Sequence, residues 1–179
     1  MKGDTYTVRT AQPSDCIYVD AIIQAIAESA RQRGTGICRR SYEQLKEKIE
    51  NGNAVIATCN NAWTGFCYLQ SWDNNAFVSH CALIIAEEYR NSGIAVEIKR
   101  QIFELSRKLY PDAKIFGLTT SGAVMKINTR LGYKPVTYSE ITHDEIFWNA
   151  CRSCVNYPIL LSKQKKQCIC TAMIFEPSK

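Results

Sequence analysis

The chain has 179 residues, and its 22 Lys and Arg against 17 Asp and Glu leave a formal charge of +5. That length predicts one domain. Hydrophobic residues at 46% and charged residues at 22% are the balance of a globular protein, which excludes a disordered or collagen-like chain. No apolar run approaches the ~20 residues that span a bilayer. The start, Met1-Lys2-Gly3-Asp4-Thr5-Tyr6, lacks the apolar run of a secretion signal, so the expectation is a soluble, cytoplasmic protein with no membrane partner.

In chain order, residues 5–9 read as a strand closed by Gln12-Pro13-Ser14-Asp15. That polar cluster can cap a helix from about Ile17, with Ile22, Ile23 and Ile26 on its apolar stripe. Arg33-Gly34-Thr35-Gly36 ends it. A second helix follows, with Ser41 as cap and Gln44 at the capping-box position. Asn51-Gly52-Asn53 is a turn, and residues 54–59 and 64–70 read as strands of a hairpin joined through Asn60-Asn61. Residues 76–85 form a further strand. The long helix after Gly93 carries Ile94, Ile98, Ile102, Leu105 and Leu109 at spacings of three and four, and Pro111 stops it. A short strand over 114–118 precedes a helix over 121–131, which Gly132 terminates in the left-handed region. Beyond Pro135 the pattern weakens to a helix over 145–150 and short strands near Ile159 and Ala172. Lys163-Gln164-Lys165-Lys166-Gln167 reads as a solvated hairpin tip. The order of strands and helices predicts a mixed α/β layered domain.

The segment Leu83-Ile84-Ile85-Ala86-Glu87-Glu88-Tyr89-Arg90-Asn91-Ser92-Gly93-Ile94-Ala95 runs from a buried strand through an acidic turn into the long helix. Backbone N–H groups at such a helix start attract phosphate through unpaired donors and the positive end of the helix dipole. Gly93 and Ala95 let a pyrophosphate approach the backbone closely, and Arg90 adds positive charge. An ordinary strand-to-helix connection is the bland alternative.

Arg90-x-x-Gly93-x-Ala95 resembles the acyl-CoA-binding motif of the GNAT superfamily of N-acyltransferases. Downstream, residues 123–133, ending in Leu131-Gly132-Tyr133, resemble that family's second signature. The likeness covers roughly residues 6–136. It implies a GNAT-like central mixed, mostly antiparallel sheet flanked by helices, here followed by a small Cys-rich C-terminal extension. It divides the chain into an acyltransferase domain over 1–138 and an extension over 139–179 packed on the same domain. It also implies acyl-CoA as co-substrate, acetyl-CoA by default and succinyl-CoA as an alternative. The pyrophosphate would lie on the amides of Arg90, Asn91, Ser92, Gly93, Ile94 and Ala95, and the pantetheine arm beside Leu83, Ile84 and Ile85. Catalysis would be direct attack of an amine on the thioester, aided by proximity and an oxyanion-stabilising amide.

Two departures stand out. Where the family often has a tyrosine that protonates the thiolate, this chain has Asn128, which can donate a hydrogen bond to CoA but no proton. Asn91-Ser92 replaces residues that are commonly glycine. A base candidate is His80, whose neutral imidazole suits deprotonation of an ammonium near pH 7; its alternation with Val78, Ala82 and Ile84 equally fits a hydrogen-bonded core histidine. His143 reads as a surface or capping residue.

Arg31, Arg33, Arg39 and Arg40 fall within ten residues around Gly34 and Gly36. Guanidinium groups form bidentate pairs with carboxylates, so Arg33, Arg39 and Arg40 are candidate ligands for a carboxylate-bearing amine acceptor. A solvated cationic loop, or one that meets CoA phosphates, is the alternative. The whole chain resembles short N-acetylglutamate synthase-like members of the superfamily, which implies glutamate or a related amino acid as acceptor and a place in arginine biosynthesis. Cys151-x-x-Cys154 and Cys168-x-Cys170 have the ligand count for one structural zinc, against free buried cysteines or redox chemistry. A catalytically idle sensor of CoA or an amino acid is the competing reading. The modest charge speaks against nucleic acid as a partner. Homodimers are common in the superfamily, and the sequence leaves the oligomeric state open.

Overall fold

A computed structural model describes residues 6–34 and 39–177, apart from the Arg33 side chain. The strand expected over 5–9 is β1 (Thr7–Thr10); Thr5 and residues 35–38 of the arginine-rich segment lie outside the described residues. The helix expected from Ile17 begins earlier, as a tight turn over Pro13–Tyr18, because Pro13 supplies a helix-ready φ and lacks the amide that a first turn leaves unpaired. It continues as α1 (Val19–Arg33). The α2 helix (Tyr42–Glu50) starts with the reciprocal Ser41–Gln44 capping box. Strands β2 (Ala54–Cys59) and β3 (Ala62–Trp72) are joined at Asn60 and Asn61, whose φ angles of 49° and 59° give the paired left-handed turn that matches strand twist.

Next come β4 (Phe77–Ile85), α3 (Ile94–Leu109), β5 (Lys114–Thr119), α4 (Gly122–Arg130) and β6 (Lys134–Val136). Gly132 has φ 89°, the left-handed end expected after α4. The C-terminal region forms α5 (Glu145–Ala150), α6 (Tyr157–Ser162) and β7 (Thr171–Phe175). The strand expected near Ile159 is thus a helix. Pro158 sits in its first turn, and Leu160 buries its side chain to 2% exposure. The basic run after it is consequently a helix-end turn, with Gln164 and Lys165 at φ 53° and 60°.

The seven strands among the described residues form one sheet in the order β1-β2-β3-β4-β5-β7-β6. Among the described residues only β4 and β5 run parallel; the other five pairings are antiparallel. One face packs Ile22 and Ile26 of α1 and Leu45 and Ile49 of α2 against Ile56, Phe66 and Ile84. The opposite face packs Ile94, Ile98 and Ile102 of α3 against Val55, Cys67, Leu69 and Val78. A third cluster joins Phe116 of β5 to Tyr138, Trp148 and Leu160 of the C-terminal region. No helix among the described residues is long and apolar enough to cross a membrane.

One ion pair pins the start of the chain to this frame. Arg9 donates to both carboxylate oxygens of Asp15, at 2.6 and 2.8 Å, and the Gln12 amide adds a third bond at 2.7 Å. Burial alone would raise the Asp15 pKa, but the bonds from Arg9 and Gln12 outweigh it and hold the carboxyl below its usual range. The stabilisation is fully present above the ordinary aspartate pKa and is lost as pH falls through the lower folded value. Arg9→Ala, which leaves a buried carboxylate short of its partner, is expected to lower stability by about 2 kcal/mol at pH 7. Urea unfolding should show that difference shrink at pH 3.

Candidate active site

Strands β4 and β5 pair at only three positions, Phe77↔Lys114, Val78↔Ile115 and Ser79↔Phe116. Beyond Ser79 they part: β4 stays on β3 as far as Ile85↔Gly65, while β5 continues along β7 to Thr119↔Thr171. A β-bulge lies on the other side of β4, where its register with β3 shifts between Phe66 and Tyr68 and Ala82 adopts φ 54°. The bulge resets the alternation, so Cys81 and Ala82 both pack toward the α1–α2 face, and Leu83 and Ile85 toward α3. A cleft of about 830 Å³ opens at the parting, lined by residues 79–83 of β4, 116–119 of β5 and Asn128 of α4. The backbone edge that β4 turns toward this gap has lost its partner strand, and its N–H and C=O groups are free for another chain of amides.

Past Leu83, the chain turns through Glu87–Tyr89 into α3. Gly93 caps the helix at φ 90° and Asn91 lies at φ 65°. Ser92 turns its hydroxyl back onto the Tyr89 carbonyl at 2.5 Å, and no side chain caps α3. Among the described residues the amides of Asn91, Ser92, Gly93, Ile94 and Ala95 have no acceptor. They form an open set of donors at a helix N-terminus, and Arg90 is held there only by a loose 3.7 Å pair with Glu87. This arrangement fits a diphosphate. Asn128 is 2% exposed; its amide nitrogen reaches Met173 Sδ at 3.8 Å, and its Oδ1 has no hydrogen-bond partner among the described residues.

His80 is partly exposed to the cleft, but both of its ring nitrogens are engaged. Nε2 lies 2.9 Å from Ser106 Oγ, whose own hydroxyl donates to the Ile102 carbonyl. Nε2 must therefore carry the proton, and Nδ1 is an acceptor. Facing Nδ1 are Lys99 Nζ at 2.9 Å and Tyr133 Oη at 3.2 Å. Burial, then the charge of Lys99, pushes the His80 pKa well below its ordinary value. Lys99 is 3% exposed yet lines the cleft, and among the described residues no carboxylate pairs with it. Burial lowers its pKa to about 8, with Cys67 and Cys81 acting in the opposite sense. Sequence reading missed Lys99, Ser106 and Tyr133. The available signal was a lysine and a serine inside the apolar stripe of α3, beside Ile98 and Ile102.

On the α2 side, Arg39, Arg40 and Lys48 line the cleft, with the Arg40 guanidinium 5.8 Å from the centre of the Tyr68 ring. Arg33's side chain lies outside the described residues. The opposite wall comes from the C-terminal region, including Phe147, Trp148 and Tyr157, and the Arg39 amide donates to Ser153 Oγ at 3.1 Å, tying the two walls together. Cys151, Cys154, Cys168 and Cys170 line the same cleft, but the expected zinc site does not assemble. Among the described residues no three His, Cys, Asp or Glu side chains come together as metal ligands. Two of the sulfurs meet backbone groups: Cys154 Sγ accepts from the Asn156 amide at 3.4 Å, and Cys168 Sγ faces the Asn156 carbonyl at 3.8 Å. His143 is exposed, its amide on Asp73.

Neither a protein-family model nor a curated protein sequence matches this chain. Solved structures do. N-acetylglutamate synthase from Neisseria gonorrhoeae, complexed with coenzyme A and N-acetyl-glutamate, aligns with a TM-score of 0.68 at 13% identity over 99% of this chain; the chain spans 36% of that protein's length. Rv2747 from Mycobacterium tuberculosis, in complex with CoA, gives 0.66 at 19% identity, over 96% of this chain and 99% of that one. A phosphinothricin acetyltransferase from Sinorhizobium meliloti, in complex with acetyl-CoA, gives 0.63 at 15% identity, over 97% and 89%. At these identities the likeness establishes the fold: the chain has the GNAT fold of these acetyltransferases.

The buried lysine has a measurable signature. Below pH 8 the folded ammonium carries its full desolvation penalty; between about 8 and the ordinary 10.5 the folded group is neutral while the unfolded one is charged, so stability rises with pH in that window. Lys99→Met is expected to raise Tm by several degrees at pH 7, with the gap closing toward pH 10.5. A lower Tm for the variant at pH 7 would contradict this.

Proposed function

We propose that the protein is an acyl-CoA-dependent N-acyltransferase that moves an acyl group, acetyl by default, to the amine of a small carboxylate-bearing acceptor such as glutamate. The observation that carries this reading is the parting of β4 and β5 beside a helix start with five unpaired amides. CoA needs both features: a cradle of donors for its diphosphate, and a strand edge for the two amides of its pantetheine arm. The orphan Oδ1 of Asn128 offers that arm a further acceptor. Acceptor binding falls to Arg39 and Arg40, whose guanidiniums suit a carboxylate, with residues 139–179 acting as an extension that walls the site. Structural likeness to a synthase complexed with N-acetyl-glutamate supports glutamate, and such an acceptor would place the reaction in arginine biosynthesis.

The chemistry follows from placement. A thioester held along β4 presents its carbonyl to an amine entering from the Arg40 side, and fixing both partners makes the attack effectively unimolecular. Unpaired amides on the β4 edge can meet the negative charge that develops on the carbonyl oxygen. His80 has both nitrogens engaged, so its lone pair is not offered to the acceptor, and His80→Ala is expected to lower turnover less than tenfold.

The direct test offers amino acids and polyamines with acetyl- or succinyl-CoA and follows thiol release. Release is expected with an acidic amino acid, and Arg40→Ala should raise its KM about tenfold or more, the worth of one charge-assisted pair. Gly93→Val, which forces a branched side chain into the left-handed region, should weaken CoA binding in calorimetry by a similar factor. CoA binding without thiol release from any acceptor would point to a sensor, and no CoA binding would remove the reading altogether.

A further inference from the structure

The cleft contains one cation for which the acceptor has no use. Lys99 belongs to α3, on the sheet face opposite α1 and α2, while Arg40 and Tyr68 belong to the acceptor side. Its side chain is 97% buried by its 3% exposure, lines the cleft beside His80 and Asn128, and among the described residues meets no carboxylate. A buried ammonium without a counterion is costly, and its fixed partner, His80 Nδ1, is neutral. The site therefore lacks a negative charge at this point. Resting on the acyl-CoA reading above, one anion arises here during the reaction: the sulfur left behind when the acyl group departs.

We propose that Lys99 is the proton donor to the departing CoA thiolate. The amine nitrogen forms a bond to the acyl carbon, the C–S electron pair collapses onto sulfur, and a proton passes from Lys99 Nζ to give the free thiol. The new amide nitrogen gives its extra proton to water in the open cleft, and neutral Lys99 regains one from solvent when product leaves. The other acids nearby do not serve. Asn128 has no ionisable proton. Tyr133 is 2% exposed, directs its hydroxyl to His80, and burial raises its pKa far above the ordinary value. Cys67 is fully buried, with its pKa pushed up to about 12, and the Cys81 thiol lies against Ser79. The titratable groups around Lys99 are thus His80 and Cys81 from β4, Cys67 from β3 and Tyr133 after α4. A lysine lowered to about 8 is matched to a thiol leaving group, because proton transfer works best between groups of similar acidity. Ser106 and Tyr133 hold His80, and His80 holds Lys99, so these are positioning residues.

The experiment is a single-turnover measurement of thiol release on the intact protein with its best acceptor, comparing wild type, Lys99→Met and Lys99→Arg from pH 6 to 10, with CoA affinity measured by calorimetry. Expected are a wild-type rate that falls above about pH 8, a loss of about 100-fold in Lys99→Met with CoA affinity within threefold, and no high-pH fall in that variant. Lys99→Arg keeps the charge but yields its proton poorly and should recover little. A Lys99→Met rate within threefold of wild type overturns the proposal while leaving the acyltransferase reading intact. Wild type that binds CoA but releases no thiol overturns both. A loss in CoA affinity equal to the loss in rate assigns Lys99 to binding and also overturns it.

Discussion

The working part of this molecule depends on two parallel strands that stop pairing after three residues. Opening a sheet in its middle normally strands two rows of backbone donors and acceptors. Here each strand has its other neighbour: β4 remains on β3, and β5 is held by β7, a strand delivered from the far end of the chain. The gap can therefore stay open without unravelling the sheet. The bulge at Ala82 lies within the diverging stretch, where it lets Leu83 and Ile85 turn to the α3 face while Cys81 and Ala82 line the other.

That opening makes the sheet permeable, so one cleft has two chemically different sides. Toward α2 and the C-terminal helices it shows arginines, a lysine and aromatic rings, a surface for a small anionic molecule with some apolar body. Toward α3 and α4 it shows Lys99, His80 and Asn128. A molecule lying in the gap would meet both. In the His80 network each polar side chain meets another, and these bonds hold a lysine where its burial is unfavourable. Stability given up at one position in exchange for a pre-set charge is a recurrent feature of catalytic sites.

The C-terminal region does three things at once. It contributes β7 to the sheet, closes the Phe116 cluster with Tyr138 and Trp148, and supplies the wall that meets Arg39 through Ser153. Its four cysteines line that wall, two of them, Cys154 and Cys168, on the backbone of Asn156. Ligand count and spacing in a sequence do not fix where sulfur atoms point, because short turns let the backbone compete for them.

Local patterning was enough to define most of the secondary elements. The Ser41–Gln44 box, the Asn60-Asn61 turn, the four-residue spacing of Ile94, Ile98 and Ile102, and the positive φ of Gly132 are all set by a few neighbouring residues, and they hold in the folded chain. The turn into α3, with its open row of amides, was legible for the same reason: it is contiguous. What the fold alone decided was long-range. Packing of Leu160 into the Phe116 cluster accompanied α6 where a strand was expected, and β7 entered between β5 and β6. His80, Lys99, Ser106 and Tyr133, up to 53 positions apart, became one network, since side chains that meet across a sheet leave no spacing in the sequence. A lysine and a serine on an apolar stripe were the trace of it, and only packing could show whether that lysine reached solvent or a cleft.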